Sequence, residues 1–170
     1  KKKTLYEADR MIHLVNEMTK LAKFESGDVK LQRENVELAD LTEEVVEMLE
    51  THTKEKELEV RIEGKAKVST DIYKFKQVII NLLDNAICYS KRGSKILVEI
   101  EDEKTTVWRI KNTPEKLDTR NIENFFERFY RGDKSRVRND KKPHLGIGLN
   151  IVKKIIEHHG GTISARVENG

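Results

Sequence analysis

Two asparagines stand one helical turn apart within an otherwise apolar segment, residues 75–90 of this 170-residue chain. At about 100° per residue, Asn81 and Asn85 fall on one side of a helix together with Asp84 and Cys88. The opposite arc carries the apolar side chains Phe75, Val78, Ile79, Leu82, Leu83, Ala86 and Ile87. Because asparagine is a poor residue for a helix interior, the pair forms either a solvated polar face or the polar wall of a ligand cavity. An amide oxygen suits Mg²⁺ that is shared with phosphates, whereas two carboxylates would repel those phosphates.

A second candidate for chemistry is the glycine-containing turn Leu-Gly-Ile-Gly-Leu at residues 145–149, which opens a helical pattern. Glycines at a helix N-terminus leave backbone N–H groups accessible to a phosphate. The spacing matches neither a dinucleotide-binding fingerprint nor a Walker A loop. Residues 131–143 before the turn contain six basic side chains, which suits either a lid over a polyanionic ligand or a solvated loop.

The elements that must position these residues follow from the hydrophobic periodicity. Helical patterns occupy residues 4–26, 38–53, 71–89, 121–130 and 147–159. Strand patterns occupy residues 29–31, 58–62, 67–69, 95–101, 105–111 and 162–167, with 67–69 the expected hairpin partner of 58–62 and 95–101 that of 105–111. Because strands and helices do not alternate strictly, the pattern predicts an α+β sandwich with helices on one face of a sheet. The N-terminal helix has an apolar face too wide to be buried alone, so a partner is implied: the rest of this protein, a second copy or the domain that follows.

Composition excludes several classes of protein. The 33 basic and 30 acidic side chains nearly cancel to a net charge of +3, so we expect no nucleic-acid binding. A single cysteine, Cys88, excludes an intrachain disulfide and a CxxC metal site. No stretch approaches the ~18 apolar residues of a membrane span.

Taken together, the motifs resemble those of sensor histidine kinases. The segment Asn-Leu-Leu-Asp-Asn-Ala-Ile-Cys-Tyr-Ser at residues 81–90 resembles their N box, and Phe-Glu-Arg-Phe-Tyr-Arg at 126–131 resembles their F box. Residues 146–161 resemble the G2 box, and residues 9–27 look like the second helix of the dimerisation domain. The order and spacing of the motifs agree with the family as well.

This resemblance implies a Bergerat-type ATP-binding fold, in which a mixed sheet carries helices on one face and follows a long N-terminal helix. It implies ATP and Mg²⁺ as cofactors, with Asn85 as the metal ligand, Asn81 near the phosphates and Tyr89 against the adenine. The full nucleotide-binding set that it implies is Asn81, Asn85, Tyr89, Asn112, Leu117, Tyr130, Arg131, Leu145, Gly146, Ile147, Gly148 and Leu149. Residues 132–144 become the ATP lid.

The sequence departs from the family at three places. Asn112 stands where the family has the aspartate that accepts a hydrogen bond from adenine, and Pro114 and Lys116 replace two glycines of the same turn. An amide carbonyl can still accept that hydrogen bond, without the assistance of a charge. Cys88 stands where a lysine is common, and His144 and Leu145 replace a glycine and a threonine. A second hypothesis is therefore a degenerate, non-catalytic module that keeps the fold and binds ATP poorly.

The resemblance also implies the organisation and partners of the protein. Residues 1–27 would be part of a helical dimerisation bundle, and residues 28–170 the catalytic ATP-binding domain. The activity implied is protein-histidine kinase, with an acceptor histidine upstream of this chain and a response regulator receiver domain as the next acceptor. His13 is not expected to be the acceptor, because it lies within the second-helix match and no Glu-Leu-Arg-Thr-Pro-like sequence follows it. We expect a cytoplasmic domain of a homodimer that is anchored in the bacterial membrane.

Overall fold

The computed structural model describes residues 2–27, 29–116, 122–128 and 146–168. The chain divides into two compact units: a sheet unit, residues 31–117, and a helix unit, residues 1–30 with 118–170. The boundary that the sequence placed between residues 27 and 28 stays a prediction.

Ten helices and strands and one short 3-10 helix occupy the described part of the chain. In chain order they are α1 (Lys2–Glu25), β1 (Glu34–Glu37), α2 (Leu38–Met48), α3 (Glu50–Glu55), β2 (Glu59–Gly64), β3 (Lys67–Thr70), α4 (Ile72–Tyr89), β4 (Lys95–Asp102), β5 (Thr106–Asn112), the 3-10 helix Ile122–Asn124 and α5 (Gly148–His158). The helices predicted at residues 4–26, 38–53, 71–89 and 147–159 are confirmed, with a break in the second at Leu49.

A three-stranded mixed sheet lies at the centre of the sheet unit. Its order is β2-β4-β5, with β2 parallel to β4 and β5 antiparallel to β4. The predicted hairpin of β4 and β5 is thus confirmed. A parallel pair cannot be joined by a tight turn, and here the chain between β2 and β4 includes α4.

The strand at residues 67–70 was predicted to pair with β2, and this was wrong: β3 pairs antiparallel with β1 in a separate two-stranded sheet. Ala66 is held against the end of β1, because Leu38 N–H donates to Ala66 O at 2.9 Å and Ala66 N–H donates to Glu37 Oε1 at 2.9 Å. These two bonds direct the chain away from β2. The strands predicted at residues 29–31 and 162–167 do not form, since both segments lack regular structure.

Helices α2 and α4 cover one face of the three-stranded sheet. Ile96, Val98 and Ile100 of β4 point to that face and are buried, as alternation along a strand requires. They pack in one cluster with Leu38, Leu41, Val45, Ile79, Leu83, Ala86 and Ile87 from the helices. The helices-on-one-face arrangement predicted from the sequence is therefore present.

The opposite face of the sheet is charged. Arg109 of β5 pairs with Glu99 at 3.2 Å and Glu101 at 2.9 Å, and Lys111 pairs with Glu99 at 2.9 Å. The hydrogen bond from Lys111, followed by that from Arg109, holds the pKa of Glu99 below its usual range. The charged side chains therefore pair with one another on this face of the sheet.

The helix unit joins the end of α1 to α5. Leu21 and Phe24 are buried, and the Phe24 ring meets the His158 ring edge-on with centroids 5.9 Å apart. His158 Nε2 donates to Val29 O at 2.7 Å. Earlier along α1, the apolar side chains Met11, Ile12, Val15 and Met18 are exposed. The described residues therefore leave this part of the apolar face of α1 exposed, whereas its end at Leu21 is covered.

Candidate functional site

Helix α4 separates an apolar face from a polar one, as its periodicity predicted. Val78, Ile79, Leu83, Ala86 and Ile87 are buried against the sheet. The polar set Asn81, Asp84, Asn85 and Cys88 is only half-buried along the other side. Two neutral amides one turn apart thus line an accessible wall, where an amide oxygen can coordinate a hard cation.

The N-terminus of α4 is held by Asp71. Its carboxylate accepts from Lys74 N–H at 3.1 Å and from Gln32 N–H at 3.1 Å, so it caps the helix and also binds the segment before β1. Burial acts to raise the pKa of Asp71, but these backbone hydrogen bonds outweigh it and hold the pKa below its usual range. The cap therefore favours the charged carboxylate.

The C-terminus of α4 is held by Lys56, which the sequence did not single out. Its ammonium group donates to Ile87 O at 3.0 Å, to Ser90 O at 3.4 Å and to Cys88 O. A cation at this end satisfies carbonyls that have no partner within the helix and complements the helix dipole. The last turn, which carries Tyr89 with 42% of its surface exposed, is therefore fixed at its backbone.

The turn that follows β5 is anchored to the same end of α4. Ser90 and Pro114 form an antiparallel bridge, flanked by the bonds from Lys91 N–H to Thr113 O and from Glu115 N–H to Tyr89 O, both 2.9 Å. Neither flanking bond needs an N–H at residue 114. A proline is therefore accommodated at this position, where the family has a glycine.

Asn112 is the last residue of β5 and lies beside this bridge. Its Nδ2 donates to Ser90 Oγ at 3.2 Å, and Ser90 Oγ donates to Ala86 O at 2.6 Å. The sheet unit thus brings together four of the predicted residues: Asn81, Asn85, Tyr89 and Asn112. Ser90, which joins Asn112 to α4, lies in the segment that resembles the N box, but the sequence analysis did not single it out.

The glycine turn lies in the helix unit. Gly146 has φ +71°, a left-handed conformation that favours glycine, and Ile147 is buried at the position before α5. Gly148 is the first residue of α5, and it has no side chain that could obstruct a ligand. Leu149 is half-buried. The side chain of Ile147, at the N-cap position of α5, makes no capping hydrogen bond.

Asn150, on the first turn of α5, was not predicted as a functional residue. It is buried, and its Nδ2 donates to Phe126 O at 2.8 Å, which ties the F-box segment to the glycine turn. Its sequence position gave no signal beyond a polar residue within an apolar pattern.

Several predicted residues lie outside the described part of the chain: Leu117, Tyr130, Arg131, Leu145 and the lid at 132–144. Within the described ranges, no group of three or more His, Cys, Asp and Glu side chains could hold a metal ion. Helices in these same ranges were also searched for membrane spans, and none has the length and apolar character required.

Comparison with known proteins finds histidine kinases and related ATPases. The family described as "Histidine kinase-, DNA gyrase B-, and HSP90-like ATPase" matches residues 70–170. Sensor histidine kinase YclK of Bacillus subtilis (strain 168) is 32% identical over 166 residues, which cover 96% of this chain and 35% of YclK. The chain thus spans about a third or less of the length of the curated relatives that it matches.

Solved structures show the same fold. Full-length ShkA, in complex with AMPPNP, superposes with a TM-score of 0.81 at 20% identity, over 96% of this chain and 34% of ShkA. The catalytic domain of histidine kinase ThkA gives a TM-score of 0.65 at 27% identity, over 80% of this chain and 88% of that one. The predicted α+β fold is confirmed by these likenesses. The chain belongs to the family of histidine kinase-, DNA gyrase B- and HSP90-like ATPases, and within it matches the ATP-binding domain of sensor histidine kinases.

Proposed function

We propose that this chain binds ATP with Mg²⁺ and donates the γ-phosphoryl group to a histidine outside these 170 residues. A response regulator receiver domain would then accept the phosphoryl group, and the exposed apolar face of α1 would pair in a homodimer of the full protein. The observation that carries the proposal is the wall of α4, where Asn81 and Asn85 lie on the accessible side of a fixed helix. Membership of an ATPase family supports it.

On this side of α4, Asn85 would ligate Mg²⁺ through its amide oxygen. The described residues offer no carboxylate cluster, so the remaining ligands would be phosphate oxygens and water. The bound metal neutralises charge on the transferring phosphoryl group. Asn81 would lie beside the phosphates without adding negative charge. Because an amide cannot accept a proton at neutral pH, Asn81 cannot activate water, and we expect slow ATP hydrolysis without an acceptor histidine.

At the C-terminus of α4, Tyr89 and Asn112 would hold the base. The ring of Tyr89 is exposed enough to stack on adenine, a contact worth about 1 kcal/mol beyond burial. Asn112 directs its NH₂ group at Ser90 Oγ, which leaves its carbonyl oxygen for the exocyclic amine of adenine.

For the phosphates, the proposal follows the family resemblance. The turn at residues 145–149 would surround them with backbone N–H groups, and the dipole of α5 would favour their negative charge. Tyr130, Arg131 and the basic lid would border the triphosphate, and Leu117 would complete the set. Residues 28–170 would act as the catalytic domain.

Isothermal titration with Mg-ADP and with a nonhydrolysable ATP analogue tests the binding step. Micromolar affinity supports the proposal. The absence of both heat and a thermal shift would favour the degenerate module, the second hypothesis. Asn85→Ala should weaken binding of the Mg²⁺ complex, whereas Asn35→Ala, which truncates an exposed asparagine of β1, should not.

A longer form of the protein that includes the upstream histidine tests the transfer step. After incubation with γ-labelled ATP, we expect acid-labile label on the protein, as a phosphoramidate gives. That label should vanish in Asn85→Ala and persist in Asn35→Ala. Label that survives in Asn85→Ala would contradict the role given to Asn85.

A further inference from the structure

We propose that Ser90 fixes the orientation of the Asn112 side-chain amide and thereby makes the base site select adenine over guanine. This inference rests on the proposed function, since it needs a purine at Asn112. It assigns to Ser90 a positioning role, because Ser90 would act on the base only through Asn112.

Two hydrogen bonds in series link Asn112 to Ser90 and Ser90 to Ala86. Ser90 is fully buried at the end of α4, and its hydroxyl donates to Ala86 O at 2.6 Å. A serine hydroxyl has one proton. While Ser90 donates this proton to Ala86 O, Ser90 Oγ can take part in further hydrogen bonds only as an acceptor. Asn112 must then present its NH₂ group to Ser90, and it does so at 3.2 Å.

The consequence is that Asn112 offers an acceptor to a ligand. Its Oδ1 is on the other branch of the amide, the residue is exposed, and no described residue donates to that oxygen. Adenine carries an amine at C6, which donates, whereas guanine carries a carbonyl at C6, which accepts. An acceptor at Asn112 therefore matches adenine and opposes guanine.

An asparagine needs such an orienting partner, and an aspartate does not. A carboxylate presents an acceptor on both branches, whereas turning an amide by 180° exchanges its acceptor for a donor. If Asn112 turned, the Ser90 hydroxyl would have to rotate to donate to Oδ1 and leave Ala86 O. Ala86 O would keep its bond from Ser90 N–H at 2.9 Å, so the turned state has one hydrogen bond fewer.

One neutral hydrogen bond biases an equilibrium by about fivefold (~1 kcal/mol). The amide would then spend about five-sixths of its time in the adenine-accepting orientation. Removal of the hydroxyl brings the two orientations to about equal populations. Affinity for GTP should rise about threefold, affinity for ATP should fall less than about twofold, and the ratio should change about fivefold.

The test is titration of the full 170-residue chain with Mg-ATP and Mg-GTP, in five forms. Four of them are wild type, Ser90→Ala, Asn112→Asp, and the double variant Ser90→Ala with Asn112→Asp. The fifth, Ser90→Thr, is the conservative variant that keeps the hydroxyl. Thermal melts followed by the fluorescence of Trp108, the one tryptophan of the chain, establish that each variant is folded.

We expect Ser90→Ala to lower the ATP:GTP affinity ratio about fivefold when residue 112 is asparagine, and to leave the ratio unchanged when it is aspartate. Ser90→Thr should keep the wild-type ratio. An equal drop in both backgrounds would show that Ser90 only supports the local fold, and would overturn the inference. No change in the asparagine background would overturn it as well. Failure of the wild type to bind either nucleotide would instead overturn the proposed function, and this inference with it.

Discussion

Gly64, the last residue of β2, can be exchanged to test the register of the parallel strand pair. It has φ +83° and pairs with Ile100 of β4. A Cβ built on Gly64 would lie 1.9 Å from Ile100 O, a distance that no side chain can adopt against a backbone atom. Gly64→Ala must therefore move the end of β2 away from β4 or break its last pairing.

The expected cost has two parts. The left-handed backbone conformation costs an alanine roughly 1–2 kcal/mol. Relief of the clash adds a cost like that of overpacking a core, roughly 1–3 kcal/mol. We expect Gly64→Ala to lower the free energy of unfolding by about 2–5 kcal/mol, a large share of the ~5–15 kcal/mol that a domain has. Gly93 is the matched control, since it has φ +73° and no atom within 4 Å of its added Cβ.

Urea unfolding followed by Trp108 fluorescence measures both variants, because Trp108 lies on β5 in the same unit as Gly64. The midpoint should fall by roughly 0.7–5 M in Gly64→Ala, because the slope is ~1–3 kcal/mol per M. Gly93→Ala should lose only the conformational part, about 1–2 kcal/mol. Equal losses in the two variants would refute the close approach of Gly64 to Ile100.

Three further sites test what holds helices α2 and α4 in place. Asp71→Ala removes the helix cap and should cost about 1–2 kcal/mol near neutral pH in urea unfolding. Because the pKa of Asp71 is lowered in the folded state, its stabilisation is present above the unfolded pKa and lost as pH falls through the folded one. The difference between Asp71→Ala and wild type should therefore shrink below about pH 4, and a constant difference would contradict the charged cap. Lys56→Met should cost about 1–2 kcal/mol by removing the cation from the carbonyls that end α4, and Lys54→Met, at an exposed side chain, should change stability by less than about 0.5 kcal/mol. Thr42→Val should cost about 1–3 kcal/mol, because it leaves the indole N–H of Trp108 without its 3.0 Å acceptor, whereas Thr42→Ser should be milder; equal effects would rule out the hydrogen bond as the cause.

The sequence predicted the helix with two asparagines because the 3.6-residue period of a helix assigned both its apolar face and its polar face. The buried positions of α4 match the apolar arc, and the half-buried ones include Asn81 and Asn85. The hairpin of β4 and β5 was also predictable, since its two strands are adjacent along the chain and alternate cleanly. In both cases the pattern that predicts the structure lies within one continuous segment of the chain.

The pairing of β3 was not predictable from local pattern. Two residues separate β2 from β3, which is typical of a hairpin, yet backbone bonds at Ala66 join that segment to the end of β1. The contact that decides the pairing spans about thirty residues of sequence, between Glu37 and Ala66. The cap that Lys56 provides could not be predicted from the local sequence either, because its acceptors lie 31 to 34 residues away.

The altered turn after β5 bears most directly on the choice between a working nucleotide site and a degenerate one. From sequence alone, Pro114 and Lys116 in place of glycines suggested a stiffer and bulkier turn and weaker nucleotide binding. In the structure, Pro114 occupies a bridge position that requires no N–H, so the turn remains bonded to α4 on both sides of the proline. Asn112 then keeps an acceptor directed away from Ser90, since the hydroxyl takes the amide's NH₂ group. What the turn has lost is the negative charge of an aspartate rather than the hydrogen bond, so the substitution should weaken adenine binding and leave its geometry intact.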